Sequence, residues 1–171
     1  MPGSVVEGKS MVKDFCIKND VHKVLDIGPG EATYYFALQG ADITQLDGVE
    51  IFPPYIDRFG LREKYNQLFA IDIYDFDYSS GPYDLVIFGD VLEHMVEERG
   101  RKVLADAVKN SRFVVVSVPI YGWEQGPAEG NIYEAHVIQY NDTSIREVLS
   151  DYNILESFIG EAVGVYIFEA K

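Results

Sequence analysis

The sequence predicts a doubly wound α/β domain: a mostly parallel sheet ending in a C-terminal antiparallel hairpin, with helices on both faces. Three observations carry that expectation. Apolar runs of strand length alternate with stretches of helical period, the pattern of βαβ units. Two of those runs, Asp84-Leu-Val-Ile-Phe88 and Phe113-Val-Val-Val-Ser-Val118, are apolar almost throughout, as expected for strands covered on both faces. The first run, Val24-Leu-Asp-Ile27, passes through Gly28-Pro29-Gly30 straight into a helix start. Sheets of this kind bind ligands at such strand–turn–helix junctions.

A length of 171 residues predicts one domain, 1–171, with an N-terminal helix in 1–19 and the sheet in 20–171. Hydrophobic residues at 47% and charged residues at 25% suit an ordinary globular chain. No apolar run approaches the roughly 20 residues of a membrane span, and the first residues lack a signal-peptide pattern. A single Cys16 cannot form an internal disulfide, so a reducing cytoplasm is the expected setting. The formal net charge is −14, with 14 Lys and Arg against 28 Asp and Glu. Phosphate backbones are held by basic residues, so this balance disfavours nucleic acid as a partner.

Taken in order, Val5, Val12, Phe15 and Cys16 suggest an amphipathic helix in 4–18. A strand follows at 22–27, then the glycine turn, then a helix over 31–39 closed by Gly40. A second strand is expected at 43–50. Pro53 and Pro54 suit the first turn of a helix over 54–63, with Ile56 and Phe59 inward. A third strand is read at 67–71, and the short connection to Pro82 leaves room for a turn or two. After the fourth strand, Val103, Leu104, Ala107 and Val108 mark a helix over 97–109. Its Glu97–Arg101 and Glu98–Lys102 pairs lie four apart in the favourable order. The fifth strand leads to a Gly-, Pro- and aromatic-rich loop over 119–135. Thr143 is expected to cap a helix at 144–150, and Gly160-Glu-Ala joins two last strands, 152–159 and 163–169.

The carboxyl ends of the strands are where chemistry is expected. They offer Asp26 with Gly28 and Gly30, then Glu50, then Asp72, then Asp90. Several carboxylates and few cations would repel a pyrophosphate and suit a cationic nucleoside with free ribose hydroxyls. Glu50 stands about 20 residues beyond the glycine turn, where an acid commonly bonds ribose hydroxyls. Asp72 could accept from an exocyclic adenine amine while Ile73 offers its N–H to a ring nitrogen. Each feature also has a plain alternative. The glycines could be a tight turn, Asp72 a turn cap, Glu93-His94 a helix start, and Tyr121, Trp123 and Tyr133 loop packing. Cys16 is expected in the core and His22 on the surface.

Val24-Leu-Asp-Ile-Gly-Pro-Gly30, Val49-Glu50, Ala70-Ile-Asp72-Ile73 and Tyr83-Asp-Leu-Val-Ile-Phe-Gly-Asp-Val-Leu-Glu-His94 resemble four signature motifs of class I S-adenosylmethionine-dependent methyltransferases, in the family order. The resemblance covers about residues 20–170. It implies a seven-stranded sheet binding S-adenosylmethionine and releasing S-adenosylhomocysteine. By motif matching, Gly28 and Gly30 would approach the methionine part, Glu50 the ribose, Asp72 the adenine and Asp90 the sulfonium side. The third glycine of the motif is Ala32 here, which should alter helix packing slightly.

Methyl transfer suits an acidic crevice, because the sulfonium is already a good leaving group and alignment is the main task. A base is needed only where the acceptor must lose a proton; His94 and then His136 are the candidates, with the loop aromatics over the acceptor. Some small-RNA and quinone-pathway O-methyltransferases resemble Asp90-Val-Leu-Glu93-His94 with a later His136, residues that in those enzymes hold a divalent cation; the first glutamate of that motif is Asp90 here. Gly130-Asn-Ile-Tyr-Glu-Ala-His136 resembles a loop of bacterial methyltransferases, some acting on surface glycans. The expected activity is therefore methyl transfer to a hydroxyl of a small molecule or sugar. An NAD-linked oxidoreductase is the rival on the same kind of sheet. A non-catalytic scaffold that keeps the cofactor site is another; a Gly28→Arg variant that lost cofactor yet kept full cellular function would favour it.

Overall fold

The structure, a computed structural model, describes residues 5–78, 81–122 and 124–171. Seven strands form one sheet in the order β3-β2-β1-β4-β5-β7-β6. They are β1 (Lys23–Ile27), β2 (Gln45–Val49), β3 (Leu68–Phe69), β4 (Tyr83–Gly89), β5 (Ser111–Pro119), β6 (Tyr152–Ile159) and β7 (Val163–Ala170). The first five run parallel, and β7 lies antiparallel to both β5 and β6. The strand order reverses between β1 and β4, so a crevice opens there at the carboxyl edge.

Alternation along the central strands divides the core between two faces. Leu25, Ile27, Val86, Phe88, Val114 and Val116 meet helices α4 (Glu97–Asn110) and α5 (Asp142–Val148). Val24, Leu85, Ile87, Val115 and Val165 meet α1 (Lys9–Lys18), α2 (Thr33–Ala37) and α3 (Pro53–Arg58). Cys16 is buried in that second layer, where burial pushes its thiol up to about 12. His22 is half-exposed, with Nδ1 donating to the Asp42 carbonyl at 2.7 Å. Among the described residues no helix is long and apolar enough to cross a membrane.

Several boundaries differ from the sequence reading, each for a local reason. Helix α1 begins only at Lys9 because Gly8 takes a left-handed conformation, φ 74°. Helix α2 is short because Gly28, Gly30 and Ala32 all have positive φ, so the turn extends through Ala32. Ala32 thus adopts the conformation a glycine would supply more easily, buried between helix and sheet. Pro53 and Pro54 do open α3, but it ends at Arg58, and Leu61–Glu63 forms a separate 3-10 turn. Asn141, not Thr143, caps α5, in a reciprocal box with Ser144. Glu97 pairs with Arg101 at 2.8 Å, whereas Lys102 turns to Asp106 rather than Glu98.

Candidate cofactor and methyl-transfer site

A cavity at the carboxyl edge is lined by the glycine turn, Asp26, Glu50, Asp72, Ile73, Asp90, Glu93, His94 and His136, among others. The glycine, carboxylate and histidine candidates named from the sequence therefore line one volume. Backbone bonds carry the sheet ladder one step into the site and fix its floor. Gly28 N–H donates to the Val49 carbonyl at 2.8 Å, Glu50 N–H to the Phe69 carbonyl at 2.9 Å, and Asp90 N–H to the Ser117 carbonyl at 2.9 Å.

The carboxylates are held differently from one another. Asp26 is buried and accepts from the Tyr65 hydroxyl at 2.6 Å. Burial pushes its carboxyl up to about 7, against the pull of that hydrogen bond and of Lys9. Glu50, also buried, accepts from Phe52 N–H at 2.8 Å and Gly30 N–H at 3.4 Å; burial still raises its pKa. Asp72 does cap a turn, accepting from Tyr74 N–H at 2.9 Å, and it also pairs with Arg99. It keeps lone pairs for a further donor. Ile73 opens the 3-10 turn Ile73–Asp75, so its N–H has no acceptor within that turn. Asp90 sits at φ 57°, a conformation costly for a side chain with a Cβ, and its carboxylate accepts from the Ser117 hydroxyl at 2.5 Å.

Beyond Asp90 the 3-10 turn Leu92–His94 points Glu93 and His94 into the cavity. The carbonyl of Glu93 accepts from Val137 N–H at 2.7 Å and Ile138 N–H at 3.1 Å, and these bonds dock the His136 segment. The two imidazoles meet edge to face with centroids 5.0 Å apart. His94 Nδ1 donates to the Ala135 carbonyl at 3.2 Å, so in the neutral ring Nε2 carries the lone pair. Burial lowers the pKa of His94, favouring the neutral ring. Glu93 is buried, and neither carboxylate oxygen has a partner outside its own residue. Burial, with Asp90 adding to it, raises its pKa well above the usual range. Ligand atoms of Glu93, His94 and His136 all lie within 4.8 Å of one another.

No family model matches the chain, and no curated protein matches it in sequence. Solved structures do. Magnesium protoporphyrin IX methyltransferase (ChlM) from Synechocystis PCC 6803 with bound SAH superposes at TM-score 0.73 and 15% identity, over 97% of this chain and 83% of that one. The chain has the class I methyltransferase fold. Two other structures share it. The 1,6-didemethyltoxoflavin-N1-methyltransferase of Burkholderia thailandensis matches at TM-score 0.69 and 16% identity, over 97% of this chain and 78% of that one. The small RNA methyltransferase HEN1 matches at 0.74 and 17%, over 95% of this chain but only 25% of that one. Magnesium protoporphyrin IX, 1,6-didemethyltoxoflavin and small RNA in the names of proteins on one fold leave the acceptor of this chain to the residues around its cavity.

Several of those residues escaped sequence reasoning. Tyr65 and Ser117 orient Asp26 and Asp90 from other elements, and nothing in their local sequence marks them. The loop adds Asn131, whose side chain accepts from Tyr133 N–H at 2.9 Å, and Gln125, which donates to the Glu134 carbonyl at 2.8 Å. Tyr133 lines the cavity; Tyr121 is exposed, and Trp123 lies outside the described residues. Lys9 did carry a signal. It falls on the apolar stripe of α1 with Val12 and Cys16, at i, i+3 and i+7.

Proposed function

We propose that the protein transfers the methyl group of S-adenosylmethionine to a hydroxyl of a small-molecule or sugar acceptor. The observation that carries this reading is the single cavity joining the glycine turn, Glu50, Asp72, Ile73 and Asp90 to an imidazole pair. Gly28 and Gly30 would take the methionine part, Glu50 the ribose hydroxyls, and Asp72 with Ile73 the adenine edge. Asp26 and Asp90 would face the cationic amino-acid and sulfonium end. Methyl transfer to an acceptor oxygen would break the C–S bond, and His94 Nε2, the lone pair of a neutral ring, would take the hydroxyl proton. His136 packs edge to face against that ring and lines the same space.

An NAD-linked reading is disfavoured by the turn itself. The Gly30 N–H that would receive a pyrophosphate already faces the Glu50 carboxylate, and a second anion there would be repelled. Calorimetry should show S-adenosylhomocysteine binding and no NAD binding; the reverse pattern would end the methyl-transfer reading. Glu50→Ala should weaken S-adenosylhomocysteine by about 1–3 kcal/mol, the scale of a lost charged hydrogen bond, and an unchanged affinity would remove Glu50 from the ribose site.

The unpartnered Glu93 carboxylate favours a second, compatible reading in which Glu93, His94 and His136 hold a divalent cation. Two imidazoles and a carboxylate with converging ligand atoms fit such an ion, and His94 is oriented for it by its Nδ1 bond to Ala135. A bound cation would lower the pKa of an acceptor hydroxyl brought against it. Cobalt(II) added to the protein should give a ligand-field absorption spectrum that His136→Ala abolishes. A wild-type protein transparent in that region leaves proton removal to His94 alone.

A further inference from the structure

A second, more open groove lies beside the cavity, lined by Glu124, Gln125, Gly126, His136 and Gln139. It shares Gln125 and His136 with the cavity, so the two spaces meet at the imidazole pair. Apart from Gly126, every described lining residue ends in a hydrogen-bonding group: two primary amides, a carboxylate and an imidazole. No apolar side chain and no Lys or Arg is among them. The wall between the spaces is held in place by its own bonds. His136 N–H donates to the Gln125 carbonyl at 2.9 Å. Gln125 Nε2 donates to the Glu134 carbonyl at 2.8 Å and to the Glu134 carboxylate at 3.2 Å. Gly126 leaves its side of the groove open, because a Cβ there would meet nothing within 4 Å.

That lining selects among ligands. A phosphate would meet Glu124 with no basic side chain in the groove to hold it. An apolar group would find no apolar wall and would strip water from the amides without replacing its bonds. A hydroxyl both donates and accepts, as a primary amide does, so a ring with several hydroxyls can satisfy the amides, carboxylate and imidazole together. Position adds a second constraint: a molecule spanning both spaces keeps one part in the groove while another reaches the imidazole pair. Resting on the methyl-transfer reading of the cavity, we propose that the groove binds a second sugar unit, so that the acceptor is an oligosaccharide rather than a free monosaccharide. The methylated unit stands at His94 and His136, and its neighbour bonds Gln125, Gln139 and Glu124. Gln139 and Glu124 set the specificity without touching the cofactor, since neither lines the cavity.

Gly126→Trp is the sharpest test, because it fills the groove from an open position whose φ lies outside the left-handed region. The protein, with S-adenosylmethionine and magnesium, would be assayed on lactose, maltose, cellobiose and N,N′-diacetylchitobiose. Glucose, galactose and N-acetylglucosamine are the single-unit controls. Wild type should favour at least one disaccharide over its own monosaccharides by about tenfold or more in kcat/KM, the scale of one or two added hydrogen bonds. The gain should lie in KM, because the second unit is remote from the reacting hydroxyl. Gly126→Trp should bring the ratio to about one while S-adenosylhomocysteine binds as tightly as to wild type. Gln139→Ala, at an exposed position, should cut the ratio by about threefold to tenfold, and it decides alone if the tryptophan variant fails to fold. A preference that survives these changes overturns the groove as its source. A wild-type protein that binds no S-adenosylhomocysteine overturns the cofactor reading, and this assignment with it. Binding of S-adenosylhomocysteine with no disaccharide favoured overturns the groove assignment alone.

Discussion

Gly28→Val should abolish measurable S-adenosylhomocysteine binding, a loss of about a hundredfold or more, while the sheet stays folded. Gly28 has φ 63°, a region that costs an ordinary L-residue roughly 1–2 kcal/mol and a β-branched one more. A Cβ there would stand 2.9 Å from the Val91 side chain, so turn and neighbour must both shift. The added methyls would also project from a residue that lines the cavity. A thermal melt of the apo-protein separates the two effects, because strain alone would cost only a few degrees. Unaltered ligand affinity in a folded variant would show that the turn is structural and that the cofactor sits elsewhere.

Glu93→Met should make the apo-protein more stable at pH 8 by about 1–4 kcal/mol, the range seen when buried ion pairs give way to apolar packing. At roughly 2–4 °C per kcal/mol for a chain of this size, the melt should rise visibly. The sign follows from linkage. The folded-state pKa of Glu93 lies well above its ordinary 4.5, so the native state holds a proton the unfolded chain releases. Stability from that group is complete below about 4.5 and is lost as pH climbs toward its folded value. Asp26 adds the same slope between its ordinary 3.8 and about 7. Wild type should therefore lose stability from pH 5 to 8, and Glu93→Met should lose less. A variant less stable than wild type at pH 8 would mean that Glu93 is ionised against Lys9. The stabilised variant should also fail to bind cobalt, the usual exchange of stability against function at a strained site.

The sheet was legible because its central strands are buried on both faces and so are apolar almost throughout, as in Phe113–Val118. The glycine turn, Glu50, Asp72 and Asp90 were legible because the fold requires them at strand ends, where one-dimensional spacing carries three-dimensional meaning. Helix ends were less so. Ala32 in a left-handed conformation and Asn141 capping in place of Thr143 depend on backbone angles that neighbouring residues do not dictate. The supporting partners were hidden for another reason. Tyr65 reaches Asp26, and Ser117 reaches Asp90, across separations of 39 and 27 residues, and only the packed sheet brings them together. Glu93-His94 and His136 could be named as candidates. Their convergence was a matter of the backbone bonds that fasten Val137 and Ile138 to Glu93.

The interior placement of β7 has a consequence for the order of synthesis. β5 ends at Pro119, but the strand that covers its edge does not begin until Val163. β6 emerges first and pairs only with β7, so it cannot shield β5 meanwhile. A nascent chain that has reached β6 thus carries Phe113–Val118 with an open hydrogen-bonding edge, the feature that seeds wrong strand pairing. The sheet closes only when the last strand inserts, a long-range step that comes late in folding. Assembly of the cavity floor at Asp90 and Ser117, which rests on β5, is therefore tied to the emergence of β7 from the ribosome.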